Sequence, residues 1–505
     1  MLAFFGLATL GTSITAYEFY FKDNEKKSAP RKNPYNEKIA KSTLKALEES
    51  KLSAGHDFLE NCKSFLKCFC IVKNGSKILS TASIEGQIGC FQGLRVFSNV
   101  SIMCVHIGFA YISVLRHVKE IKFFLDLRAS HLALNGTFAV DVFFVISGFL
   151  NANAFLHKYI KSNGNISWFY FYFKRFARLT PVYMIVLGFN ATLFAYTGTG
   201  TLWPTYDTNP VCHKDWWWHL LYINNFENSD KQCMVWCWYL AADMQFYIIS
   251  PLFMVPLIRW PRLGYALIFA CISGSCVASF LLTYQYNLID GFSRFEFHLD
   301  DSQNFMIKLW KYFDLVYTKP YTRIGPYFVA ILLAYYLHKK SLNKGTTKNS
   351  AVTLSCGWIV TALFIWVCFF SLYKKEEIIM VTALYNGTKS LLYSCSLAWM
   401  IYLCLTGQSE FLNKCLSWKY FLPLSRLSYC AYLIHPLILA KLFLEAHDLM
   451  DFSYTSMIWF PLYVCGITYA VSFIVSMLFE IPVLNLLDWL GKKKVEKDSN
   501  VSHLD

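Results

Sequence analysis

The sequence predicts an all-α fold, a polytopic transmembrane helix bundle of about eleven spans. Three observations carry that prediction. Hydrophobic residues make up 55% of the chain and charged residues 16%, whereas about a quarter of a soluble domain is charged. Eleven apolar segments are each long enough to cross roughly 30 Å of hydrocarbon as a helix. The aromatic share of 18% fits interfacial belts of Trp and Tyr.

The segments fall near 1–19, 94–115, 136–157, 177–197, 237–258, 264–285, 321–338, 351–372, 387–406, 423–445 and 457–482. Residues 1–19 read as an N-terminal span. A signal peptide is disfavoured there, because no basic residue precedes the apolar run and no clear cleavage site follows. Residues 20–89 form a basic cytosolic linker, in which Ile39, Leu44, Leu47 and Leu52 are spaced for a surface helix. A transmembrane domain follows over 90–485, and 486–505 read as a disordered cytosolic tail. Lys and Arg concentrate in alternate connectors (20–93, 158–176, 259–263, 339–350, 407–422) and in the tail. The positive-inside rule then places the C-terminus in the cytosol and the loops 198–236 and 286–320 in a lumen or outside. The net charge of +14 is therefore an orientation signal, and nucleic-acid binding is excluded.

Seventeen cysteines are present. Many lie in apolar runs, where a thiol is a small hydrophobe, and none has zinc-ligand spacing. Cys212 and Cys233 share a polar loop, and a disulfide between them is expected in an oxidising lumen. Cys237 is the alternative partner.

The chemistry-bearing residues are those that are costly in hydrocarbon. Arg95 and His106 are eleven residues apart, which sets them on one helix face about 16 Å apart along the axis. Asp141 opens an apolar helix, where a carboxylate favours the dipole, and Ser147-Gly148 makes a small patch for close approach. Lys174, Arg175 and Arg178 lie at a cytosolic edge and suit phosphate. Asp243 has no basic residue at i±3 or i±4, so it needs a partner from another helix, and His106 is the expected one. Arg323 follows a lumenal loop, and Tyr432 and His435 share a face.

These runs, in this order, resemble the acyltransferase 3 family of multi-span membrane proteins over about residues 90–485. They are Arg95 with His106; Val-Asp-Val-Phe-Phe-Val-Ile-Ser-Gly-Phe-Leu at 140–150; Lys174-Arg175 with Arg178-Leu179-Thr180-Pro181; Trp238 to Asp243 and Phe246-Tyr247; Ser428-Tyr429 to His435-Pro436; and Phe479-Glu480-Ile481-Pro482. Finer features resemble the animal nose-resistant-to-fluoxetine group: Leu-Tyr-Ile-Asn-Asn-Phe at 221–226, Trp-Tyr-Leu-x-x-Asp-Met-Gln-Phe at 238–246 and Thr-Arg-Ile-Gly-Pro-Tyr at 322–327. Asp243 stands where bacterial relatives usually carry Glu, and Ala330 and Ala334 stand where the group usually carries glycine. That group has a Cys-rich lumenal domain ahead of its first span, at which this chain starts.

The resemblance implies transfer of an acyl group, often acetyl, from cytosolic acyl-CoA to a hydroxyl of a lipid or sugar. Acyl-CoA is then a substrate, with no bound cofactor and no metal. In that reading His106 is the base, Asp243 orients it and Arg95 holds the donor. Lys174, Arg175, Arg178, Asp141, Ser147, Arg323, Tyr432 and His435 bind substrates. The protein would sit in the endoplasmic reticulum or plasma membrane. The rival reading is a lipid or xenobiotic transporter without acyl transfer.

Overall fold

The computed structural model describes residues 2–28, 54–83, 86–128, 130–200, 202–204, 209–342, 349–446 and 448–501. The proposed surface helix around Leu44 lies outside them. In chain order the longer helices are α1 (Leu2–Ser28), α2 (Ala54–Lys67), α3 (Ile71–Leu79), α4 (Cys90–Ser113), α5 (Ala139–Lys161) and α6 (Trp168–Thr192). Then come α7 (Pro210–Leu220), α8 (Trp238–Ile249), α9 (Pro251–Arg259), α10 (Pro261–Tyr286), α11 (Ser302–Tyr312) and α12 (Pro320–Leu342). The series ends with α13 (Ala351–Phe370), α14 (Ile379–Leu405), α15 (Glu410–Leu416), α16 (Phe421–Leu444), α17 (Tyr454–Val475) and α18 (Ile481–Val501). No strand forms among the described residues; one isolated bridge joins Leu115 to Met450.

Eight stretches of the described residues are long and apolar enough to cross a membrane. The chain is an integral membrane protein. The segments read as spans at 1–19, 177–197 and 321–338 lie on α1, α6 and α12, which are long helices outside those eight. Their apolar runs are diluted by Gly and Thr in α1, by Lys174, Arg175 and Arg178 in α6, and by Arg323, Lys339 and Lys340 in α12. The 237–258 segment is two helices, α8 and α9, broken at Ser250-Pro251, because Pro251 brings no amide to continue the ladder.

The chain divides into two compact units. The first comprises 1–80, 174–182 and 470–505. In it the part of the linker from Ala54 on forms α2 and α3. The Ile71 amide donates to Thr12 Oγ1 at 3.0 Å, and Asn74 Oδ1 accepts from Asn485 Nδ2 at 3.0 Å. α18 continues to Val501, where the sequence reading places an unstructured tail; the lysines and glutamate there are good helix formers.

The second unit comprises 81–173 and 183–469. Its centre is α5 against α12. Gly148 permits that approach: a Cβ there would lie 2.6 Å from the Tyr327 carbonyl oxygen and 3.2 Å from Ala330 Cβ. One turn on, Asn151 Nδ2 donates to Tyr327 Oη at 2.9 Å and to Ser250 Oγ at 2.8 Å, which ties the α8–α9 break to the same pair. Gly148→Leu should therefore lower stability by about 1–3 kcal/mol, read as an earlier thermal transition in detergent. An unchanged transition would show that the two helices can separate freely.

Candidate active site

α4 and α16 pack side by side and bring the two expected histidines together. His106 Nδ1 lies 2.7 Å from His435 Nε2, and the rings are near parallel at 10°. His435 is fully enclosed, and its Nδ1 lies 3.0 Å from the Ala431 carbonyl oxygen one turn earlier on α16. His106 keeps partial exposure. A carbonyl can only accept, so His435 Nδ1 carries a proton. In a neutral His435 the Nε2 is then an acceptor, and the proton between the two rings belongs to His106 Nδ1. His106 Nε2 is left with a free lone pair. The two contacts thus fix both tautomers.

The hydrogen-bond partner of His106 is therefore an imidazole, in place of the expected Asp243. Helical periodicity sets the azimuth of His106 on α4 but not which neighbouring helix stands opposite. Asp243 sits on α8 and is 5% exposed. Tyr432 is on the His435 face as expected, but its hydroxyl donates to the Trp236 carbonyl at 2.5 Å, and Trp236 Nε1 returns a bond to the Leu433 carbonyl at 3.3 Å. Tyr432 thus fastens the start of α8 to α16. Arg95 is half-buried on α4, and Ser147 half-buried on α5. Lys174, Arg175 and Arg178 lie on the part of α6 that belongs to the first unit. Lys174 and Arg178 are exposed there, and Arg175 is half-buried.

Asp141 and Arg323 meet each other. Arg323 Nη1 donates to Asp141 Oδ1 at 3.1 Å and to Ser390 Oγ at 2.9 Å, and Nε donates to the Tyr317 carbonyl at 3.1 Å. The Tyr317 ring lies 4.2 Å from the guanidinium. Asp141 is fully enclosed. Both were expected to bind substrate; in the structure they pair with each other. Around them are charges that the sequence reading missed. Lys389 donates to Asn386 Oδ1 at 2.7 Å and to the Asp290 carbonyl at 3.1 Å. Arg294, 1% exposed, donates to Thr382 Oγ1 at 2.5 Å and faces Asp290 Oδ2 at 3.3 Å. Burial pushes the Asp290 carboxyl up, against the pull of Arg294 and Lys389. A lone lysine inside the 387–406 run was the available signal for Lys389; nothing in the sequence distinguishes Arg294 from a surface arginine. No cluster of metal-ligating residues forms among the described residues.

The 198–236 loop is closed by the Cys212–Cys233 disulfide, and Cys237 remains a free, buried thiol. Closing a loop with a sequence separation of 21 residues is worth about 3 kcal/mol. Cys212→Ser with Cys233→Ser should lower the thermal transition accordingly, and an unchanged transition under reductant would contradict that. Beside it His219 is fully enclosed, with Nδ1 2.6 Å from Tyr183 Oη and Nε2 accepting from the Met234 amide. Burial pushes its imidazole down to about 3. The unfolded chain takes up a proton near pH 6.5 that the folded one refuses, so stability falls with pH below that point. Between pH 7 and 5 the loss is about 2 kcal/mol. It should shrink in His219→Gln, with the two pH dependences of unfolding compared directly.

A family model for the acyltransferase domain, acyltransferase 3, matches residues 88–477. The chain belongs to the acyltransferase 3 family. Among curated acyltransferase 3 relatives, the nose resistant to fluoxetine protein 6 of Caenorhabditis elegans is 29% identical over 484 residues, covering 90% of this chain and 57% of that protein. The regulator of hypoxia-inducible factor 1 of the same organism is 26% identical, covering 54% of this chain and 55% of its own length. A Staphylococcus aureus protein provisionally named an O-acetyltransferase is 29% identical over 175 residues, covering 33% of this chain and 28% of its own. The chain thus spans less than two thirds of the length of these relatives. No solved structure matches it. The histidine pair and the Asp141–Arg323 pair both fall inside the acyltransferase 3 match.

Proposed function

We propose that the protein is a membrane O-acyltransferase that moves an acyl group, acetyl first among them, from acyl-CoA to the hydroxyl of a lipid, sugar or other small acceptor. The observation that carries this reading is the His106–His435 pair with its fixed tautomers. His106 Nε2 takes the proton from the acceptor hydroxyl as the oxygen attacks the thioester carbonyl. The imidazolium is stabilised by His435, whose Nε2 faces it at 2.7 Å. When the carbon–sulfur bond breaks, the same proton passes from His106 Nε2 to the departing CoA sulfur, and the base is restored. Arg95, about three turns away on α4, holds a donor phosphate. A cytosolic C-terminus and donor entry from the cytosol belong to this reading.

The test is release of free CoA thiol from acetyl-CoA by the purified protein in lipid, with candidate acceptors added. Acceptor-dependent thiol release is the expected result. Its absence across lipid and sugar acceptors would end the proposal. The transporter reading has one observation in its favour: Asp141, Arg323 and Lys389 are three buried charges on three helices to which the acyl-transfer steps above give no role. Movement of a labelled lipid across vesicles with no thiol released would support it instead.

A further inference from the structure

α4 carries a polar stripe. Gln92, Asn99 and His106 are spaced seven apart, and seven residues return to within about 20° of the same azimuth. Each finds a partner on a neighbouring helix. Gln92 Oε1 accepts from Ser425 Oγ, Asn99 Nδ2 donates to Tyr469 Oη at 3.2 Å, and His106 meets His435. Asn99 differs from the other two. It is 1% exposed, and its Oδ1 has no hydrogen-bond partner. An enclosed acceptor without a donor costs about 1–3 kcal/mol, and native structures leave few such groups without a reason.

The position of that oxygen supplies a reason. Along the axis Asn99 lies about 6 Å from Arg95, and His106 about 16 Å from it. The pantetheine arm of a CoA thioester is backbone-like. Its first amide nitrogen is five bonds from the phosphate-bearing oxygen and its sulfur twelve, or about 6 Å and about 14 Å when extended. A donor with its phosphate at Arg95 and its thioester at His106 therefore sets its first amide N–H level with the position of Asn99 on α4. That N–H, stripped of water in the bundle, needs an acceptor.

We infer that Asn99 is a donor-binding residue that accepts a hydrogen bond from the first pantetheine amide, with Tyr469 holding its carboxamide in place. This rests on the acyl-CoA reading above. It selects for amide-bearing thioesters over simple ones.

The test uses the full chain in lipid nanodiscs and titration calorimetry with two probes. One is CoA. The other is 3′-phosphoadenosine 5′-diphosphate, which has the phosphates and lacks the arm. Asn99→Leu should weaken CoA roughly tenfold, the worth of one neutral hydrogen bond, and leave the arm-less probe unchanged. Arg95→Ala should weaken both. Tyr469→Phe keeps the aromatic packing, and its smaller, CoA-only loss stands in if Asn99→Leu does not fold. Equal loss for both probes in Asn99→Leu, or equal CoA affinity in wild type and variants, would overturn the inference and leave the donor reading intact. Failure of the wild type to bind either probe would overturn both.

Discussion

His106→Ala should reduce acetyl transfer by roughly 10²- to 10⁴-fold while the protein still folds and inserts, because a positioned general base is worth about that much. The structure sharpens the prediction through His435. His435→Phe retains a ring of similar size but removes the acceptor that fixes the His106 tautomer 2.7 Å away. It should lose a large part of the same factor. The loss should appear in kcat with acetyl-CoA affinity unchanged, because the proposed mechanism sets the histidine pair against the reacting atoms and not the nucleotide. The measurement is thiol release under saturating donor, with binding checked separately. Near-normal turnover in His106→Ala would remove the imidazole from the chemistry altogether. Full activity in His435→Phe would leave His106 acting alone.

The second large effect concerns stability. Arg323→Met leaves Asp141 as an unpaired carboxylate in a fully enclosed position. Breaking one side of a buried ion pair costs about 3–5 kcal/mol, enough to lower the yield of folded protein sharply. Asp141→Leu in the Arg323→Met background removes the stranded charge and should recover most of the loss. Yield of monodisperse protein and thermal unfolding in detergent read both variants. If the single variant is as stable as wild type, the pair does not hold α5 to α12. If the double variant is no better than the single, the cost comes from lost packing of the guanidinium on Tyr317 and Trp238.

The helical bundle was legible because hydrocarbon leaves a long, coarse signature in composition. Where that signature is weaker, charged or small residues interrupt the apolar run, as Arg323 does in α12. The site residues were legible for the same physical reason: a histidine or aspartate inside an apolar run is expensive and so conspicuous. Their partners were not. Asp243 was the expected mate for His106, and the side-by-side packing of α4 and α16 sets His435 there instead. Asp141 and Arg323 were each found but not as a pair, since they are 182 positions apart in the sequence. The cysteines were a narrower choice: the helix that begins at Trp238 turns Cys237 inward and leaves Cys233 for Cys212.

His435 has no route onward. Its far nitrogen is held by a carbonyl of its own helix, and no part of the ring is exposed. On the His435 side the pair therefore has no outlet for a proton. In the proposed mechanism a proton taken up at His106 Nε2 leaves again through that same nitrogen.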